Sequence, residues 1–284
     1  EANPDDLLEE KILELADSPI NRLSIGIQSF FEDDLKFMNR SHSASESKDC
    51  LSVANRHFEN ITIDLIYGVP NMSIDKWTEN LQIALDFGVN HISSYALTVE
   101  PKTALDVFIK SGKLPPLDEQ LASDHFDILV EETKKNGFVH YEISNFGKPD
   151  FFSKHNTSYW QGKQYLGVGP SAHSFKGKER SWNVSNNAKY IKSIQDKILP
   201  REVEKLSLND QFNEYIMTGL RTIWGVSLEK VRQEYGETYK LHLLNEVEGY
   251  QRMGLLEINN NIVIATQKGK FLVDGIASEL FMID

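Results

Sequence analysis

Three apolar runs constrain this chain most: NRLSIGIQSF (21–30), NITIDLIYGVP (60–70) and NHISSYALTVE (90–100). They are rich in β-branched residues, close on glycine, proline or polar residues, and read as buried strands. Helical spacing fills the intervals, at DDLKFMNR (33–40), SESKDCLSVANRHF (45–58) and SIDKWTENLQIALDFG (73–88). In the last of these Ser73 is the expected N-cap and Gly88 the stop. Trp77, Leu81, Ile83, Ala84 and Phe87 form the apolar stripe between them. Strand–helix alternation at this spacing predicts parallel βα units, in a barrel or a doubly wound sheet.

The remainder is less regular. A long helix is expected over 117–137 and a short strand at HYEISNF (140–146). Residues 147–190 form a loop-rich region dense in aromatics and glycines, centred on KQYLGVGPSAHSF (163–175). Loops of that length in a compact domain are usually functional. The tail has three helices (207–225, 227–236 and on to about Met253), two short strands in LLEINNNIVIAT (255–266) and a final helix from Gln267 to Phe281. Three helices and a hairpin resemble a winged helix, so two domains are expected, 1–200 and 201–284. SLEKVRQEYGE is nearly balanced in charge and offers no basic recognition helix, which argues against DNA.

Charge and cysteine narrow the classes further. The net charge of −12 disfavours nonspecific attraction to nucleic acid or an anionic membrane, though not a local basic pocket. A single cysteine, Cys50, excludes an intrachain disulfide and a cysteine-ligated cluster built from these residues, and points to a reducing, cytoplasmic compartment. No apolar run approaches the roughly 20 residues of a membrane span. The start, EANPDDLLEEKI, has no signal-peptide pattern and no methionine, so a cut from something longer is expected.

In parallel βα folds function gathers at the carboxyl ends of strands. Those ends give Glu1, Gln28, Asp64, Tyr67, Tyr95 and Ala96, with Arg40 following a helix. Carboxylates accept from amines or ribose hydroxyls and an arginine forks to a carboxylate, so the set suits a polar, zwitterionic ligand. A metal hydrolase using Glu1, Asp64 and His91 is the rival, but no HxH or HxxxE spacing falls at a strand end and His91 begins its strand. GVGPSAHSF lacks the lysine and hydroxyl of a phosphate loop; its glycines suit close backbone approach, and His173 reads as a satisfied polar residue. Cys50 reads as core. SKHNTSYW (153–160) places His155 and Tyr159 on one face if helical, with Asn156 one turn from Trp160. That is either an aromatic pin or a platform with one soft nitrogen ligand.

Together EANP, NRLSIGIQSF, FMNRSH, IDLIYGVP, HISSYALTVE, YEISNF, HNTSYW and YLGVGPSAHSF resemble, in order, radical S-adenosylmethionine proteins related to oxygen-independent coproporphyrinogen III oxidase. HNTSYW fits the HNxxYW signature of the HemW-type heme chaperone branch of that family. The resemblance implies an α/β fold, the C-terminal part of a partial (β/α)6 barrel plus a small winged-helix-like domain. By match to the pattern, Glu1, Gln28, Arg40 and Asp64 would contact S-adenosylmethionine, with Ala96 approaching the adenine through its backbone. His155, Asn156, Tyr159 and Trp160 would form a heme platform. Implied partners are heme as cargo and apo-hemoproteins as recipients; the alternative is the decarboxylating oxidase of porphyrin biosynthesis.

The family's CxxxCxxC loop, which holds a [4Fe–4S] cluster, and its GGTP-like segment do not occur in the sequence. The resemblance therefore implies a piece lacking about three βα units, with no cluster metal of its own, no radical chemistry and weak S-adenosylmethionine binding. The strand at 21–28 is then expected to expose an edge, which the chain either shields with its N-terminal segment or uses for self-association.

Overall fold

A computed structural model describes residues 1–283, in two compact units, Glu1–Phe152 and Ser153–Asp284. In the first unit, a short 3-10 turn (Pro4–Asp6) and α1 (Glu9–Ala16) lead to β1 (Arg22–Gln28), α2 (Glu32–Phe37), α3 (Ala44–His57), β2 (Asn60–Tyr67), α4 (Ile74–Asp86) and β3 (His91–Ala96). There follow α5 (Ala104–Lys110), α6 (Glu119–Lys135), β4 (Val139–Glu142) and β5 (Asn145–Gly147). The sheet order is β1-β2-β3-β5-β4, the first three strands parallel and the last two an antiparallel hairpin. It is an open sheet.

Local sequence explains the elements. Ser43 and Glu46 cap α3 reciprocally, Ser73 caps α4 and Asp118 caps α6. Leu51 and Ala54 of α3, Trp77, Leu81 and Ala84 of α4, and Phe126 and Leu129 of α6 pack on Leu23, Ile25, Ile27, Ile61, Ile63, Leu65 and Ile92. Those strand residues alternate with Arg22, Ser24, Gly26 and Gln28 on β1, and with Asn60, Thr62 and Asp64 on β2. Register aligns Arg22 with Asn60, Ser24 with Thr62 and Asp64 with Ser93. One face of the sheet is thus apolar and covered by helices, and the other is polar. This alternation separates the sheet from a doubly wound one, whose strands are apolar on both faces.

Several expectations change in detail. HYEISNF is a hairpin rather than one strand, because Glu142 Oε2 accepts from Ser144 N (3.1 Å) and turns the chain back at Ile143–Ser144. At the β1 edge, Ala2 N donates to Ser24 O (3.0 Å) and Gly26 N to Ala2 O (3.0 Å). The N-terminal segment therefore shields that edge at Ser24–Gly26.

The second unit begins with α7 (Lys154–Trp160), β6 (His173–Lys176), β7 (Glu179–Asn183), α8 (Asn187–Gln195) and β8 (Arg201–Lys205). It continues with α9 (Leu208–Leu220), β9 (Val226–Ser227), α10 (Leu228–Glu234), α11 (Glu237–Arg252), β10 (Leu256–Asn259), β11 (Ile262–Ala265), α12 (Gln267–Lys270) and α13 (Val273–Glu279). Strands β6-β7-β8 form one antiparallel sheet and β10-β11-β9 another. The expected loop region is therefore largely structured, and residues 153–200 belong to the compact unit that holds the helical tail. The expected last helix is two, α12 and α13.

Gly225 fixes the wing. Its φ is +62°, and an added Cβ would lie 2.5 Å from Val263 O and 2.4 Å from Ile264 Cγ2. Gly225→Ala is expected to destabilise the second unit by about 2–4 kcal/mol, from left-handed strain plus a clash with backbone. A shifted urea midpoint checks this; an unchanged midpoint contradicts it.

Candidate functional site

The polar face of β1–β3 brings the strand-end residues together. Gln28 is buried, Arg40 and Asp64 half-buried, and Glu1 exposed. Gly26 sits at their centre: a Cβ there would lie 2.8 Å from Gln28 Nε2, 3.2 Å from Asn3 Oδ1 and 3.3 Å from Arg40 Nη2. The missing side chain leaves room for three polar groups to converge. Arg40 donates from Nη2 to Asn3 Oδ1 (2.6 Å), which ties the guanidinium to the N-terminal segment. Gln28 holds φ +65° at the strand end, an unusual conformation for glutamine that turns the chain sharply into Ser29. Ala96 closes β3 opposite Tyr67, and Leu97 N donates to Tyr67 O (2.8 Å).

Tyr67 leaves the set. It lies on the apolar face, buried against Trp77 and Phe126, so its hydroxyl does not reach the polar face. Tyr95 stays in the set, and Ser93 and Asn145 join it. Ser93, opposite Asp64 in the strand register, donates from Oγ to Asn145 Oδ1 (3.0 Å), while Asn145 Nδ2 donates to Glu142 Oε2. Deeper in, Arg22 donates to Asn60 Oδ1 and Thr62 Oγ1. His91 is fully buried with Nε2 2.7 Å from Tyr141 Oη, and burial pushes its pKa down to about 3. It is a neutral, packed histidine, not a metal ligand.

The residues fit a polar zwitterion with hydroxyls: an amide and a guanidinium converge on a glycine cradle, and the Glu1 and Asp64 carboxylates lie near each other. They do not fit an iron–sulfur cluster. Cys50 is the chain's one cysteine, buried in α3, with its thiol pushed up to about 11 by burial.

The second candidate set lies in the other unit. Ser153 caps α7 by accepting from Asn156 N (3.3 Å). His155 is exposed, and Tyr159, one turn on, is 40% exposed with its hydroxyl 3.0 Å from His155 Nε2. Tyr159 and Trp160 line a cleft of about 710 Å³ whose walls also carry Tyr165, Phe175, Tyr215 and Tyr235. The Arg221 guanidinium lies 5.1 Å over the Trp160 ring, and Trp160 Nε1 is buried with no hydrogen-bond partner. Neither His155 nor the half-buried Asn156 lines the cleft; His155 reaches it through Tyr159. His173 is exposed, beside Trp182 at 6.1 Å.

Asp64 carries a testable charge. Burial, then the nearby Glu1 carboxylate, push its pKa from 3.8 to about 6, against the opposing effects of Ser93 and Arg22. The folded chain therefore keeps a proton that the unfolded chain releases. This contribution to stability is full below pH ~4 and is lost as pH rises through ~6. Asp64→Asn, uncharged throughout, is expected to be more stable than the parent near pH ~7.5, by on the order of 1–2 kcal/mol, and equal to it near pH ~4. Denaturant unfolding at both values checks this. An equal loss of stability at both would mean that the carboxylate supports the fold.

Comparison with known proteins places the chain in a family. Residues 1–84 match the radical SAM superfamily model and residues 206–272 the HemN C-terminal domain model. The heme chaperone HemW of Bacillus subtilis is 34% identical, covering 96% of this chain and 72% of the relative. HemW of Lactococcus lactis is 32% identical, covering all of this chain and 75% of the relative. The solved structure of coproporphyrinogen III oxidase (HemN) from Escherichia coli, a radical SAM enzyme, superposes with TM-score 0.80 at 20% identity, over 99% of this chain and 68% of that one. That likeness is one of fold. With relatives above 30% identity aligned along nearly its whole length, the chain belongs to the HemW family of radical SAM proteins.

Proposed function

We propose that the protein binds heme on α7 and its adjoining cleft and passes it to apo-hemoproteins. The observation that carries this reading is the exposed His155 beside an aromatic cleft. With the Tyr159 hydroxyl donating, His155 Nε2 keeps its lone pair and the ring proton lies on Nδ1, the tautomer that ligates iron. Iron would take the place of the tyrosine hydroxyl. Tyr159, Trp160 and Tyr165 offer aromatic faces for a porphyrin, and the unpartnered Trp160 Nε1 marks a buried donor that a bound group or water would satisfy. An exposed, replaceable ligand suits a protein that must release its cargo.

On the polar face of the first unit, Glu1, Gln28, Arg40 and Asp64 would hold S-adenosylmethionine, and Ala96 would meet its adenine through backbone groups. Such a ligand would contribute a sulfonium and an amino-acid head to that face; the chain's own residues bind and orient it. The oxidase reading shares the fold, but no observation in either unit favours decarboxylation.

His155→Ala is expected to weaken heme binding by about tenfold or more and to shift the Soret band. Because the side chain is exposed, its loss should change stability by less than about 0.5 kcal/mol. An unchanged heme titration together with a lowered melting temperature would show that the helix is a structural pin.

A further inference from the structure

The cleft beside α7 is not uniformly aromatic. Lys178, Arg180 and Lys230 line it together with the carboxylates of Glu214 and Glu234, so cations outnumber anions there in a chain of net −12. A flat apolar ligand needs no charge in its site, and desolvating a charge without a partner costs free energy. The cations therefore point to a ligand that carries acidic groups as well as an apolar body.

Arg180 is the best placed of the three. It stands across from Phe175 in the β6–β7 register, and residues opposite each other in an antiparallel pair share a face. Both line the cleft. Tyr165 joins this wall to α7: its ring centroid lies 6.1 Å from that of Phe175 and 4.7 Å from that of Tyr159, whose hydroxyl bonds His155. Burial raises the Tyr165 pKa and the Arg180 charge opposes the rise, so the guanidinium is within electrostatic reach of that ring. The imidazole, the aromatic faces and the guanidinium thus follow one another along one surface.

Arg180 is already engaged. Its Nη2 donates to Glu214 Oε1, across the gap from β7 to α9. Burial raises the Glu214 pKa and Arg180 opposes that rise, so this carboxylate is poorly solvated and depends on the guanidinium for its charge. It sits where an incoming carboxylate would bind. Lys178, at the β6–β7 turn, is exposed and forms no ion pair among the described residues. Lys230 is less free: its Nζ lies 4.3 Å from the centre of the Tyr215 ring and 3.9 Å from Glu234 Oε2.

We propose that Arg180 and Lys178 hold the free carboxylates of a porphyrin cargo, and that Glu214 competes for Arg180 and so sets how readily the cargo leaves. This rests on heme binding at α7 and its cleft. A guanidinium forks to a carboxylate, and a mobile ammonium at the cleft rim can follow the second one. An internal competitor lowers the apparent affinity by the fraction of time it holds the guanidinium, without changing which ligand is preferred. That combination suits a protein that selects its ligand and then hands it on.

Soret titration of the whole chain with heme and with heme dimethyl ester, whose carboxylates are masked, tests it. The parent is expected to bind heme about tenfold or more tighter than the ester. Arg180→Gln with Lys178→Gln should bring heme down to the level of the ester and leave the ester's affinity where it was. Glu214→Gln should tighten heme by about threefold or more and slow its transfer to apomyoglobin, with the ester unmoved. Lys178 is exposed, so Lys178→Gln alone, expected to cost heme about threefold, keeps the result readable if loss of the Arg180–Glu214 pair lowers the melting temperature. Equal affinity for heme and ester in the parent, with His155→Ala weakening both, would overturn the proposal and leave the heme reading standing. A Glu214→Gln protein with a changed melting temperature and parental heme affinity would reduce the ion pair to a staple between β7 and α9, and the competition would fall. Heme binding unmoved by His155→Ala would instead remove the heme reading, and this proposal with it.

Discussion

Everything in the first unit depends on the two-sided character of its parallel strands. Leu23, Ile25 and Ile27 must be covered, and α3, α4 and α6 cover them with Leu51, Trp77 and Phe126. The alternate residues cannot be covered the same way, because burying Arg22, Thr62, Asp64 or Ser93 against hydrocarbon would strip each of its partners. They satisfy one another instead. Arg22 bonds Asn60 and Thr62; Ser93, opposite Asp64, bonds Asn145, which in turn bonds Glu142. What remains unsatisfied collects at the carboxyl ends, around Gly26, and is where a polar ligand gains most. The raised pKa of Asp64 is the same constraint seen as protonation.

Much of this was legible in the sequence. The strand ends named Gln28 and Asp64, a helix end named Arg40, and the structure brings them to one face. Ser73 as cap and the Trp77–Leu81–Ala84 stripe also appear as read. Tyr67 was misplaced because a strand end alone does not tell which face a residue takes; counting two-residue steps back from Tyr67 would have put it with Leu65 and Ile63, opposite Asp64. The same count along RLSIGIQ and NITID would have announced the polar face itself. The HYEISNF hairpin was hidden because its turn is made by a glutamate side chain, without glycine or proline. The β6-β7-β8 sheet was hidden because β8, REVEK, is exposed along its length and carries no apolar run.

The second unit shows how local composition escapes an average. The net charge of −12 is such an average, since residues 163–205 hold nine Lys and Arg against four Asp and Glu. HNTSYW gave an open choice between pin and platform. The exposed imidazole and the cleft beside it support the platform, while the short α7 and its Ser153 cap show how a few residues can hold both rings in place.

The central claim is that the polar face of β1–β3 is a ligand site rather than a self-contained network. Backbone amide NMR of the whole chain, titrated with S-adenosylhomocysteine to millimolar levels, tests it most directly. The account predicts shifts concentrated at Gln28, Arg40, Asp64 and Ala96, lost in Arg40→Ala with the fold unchanged. Shifts confined to other residues, or none at saturation, would contradict it.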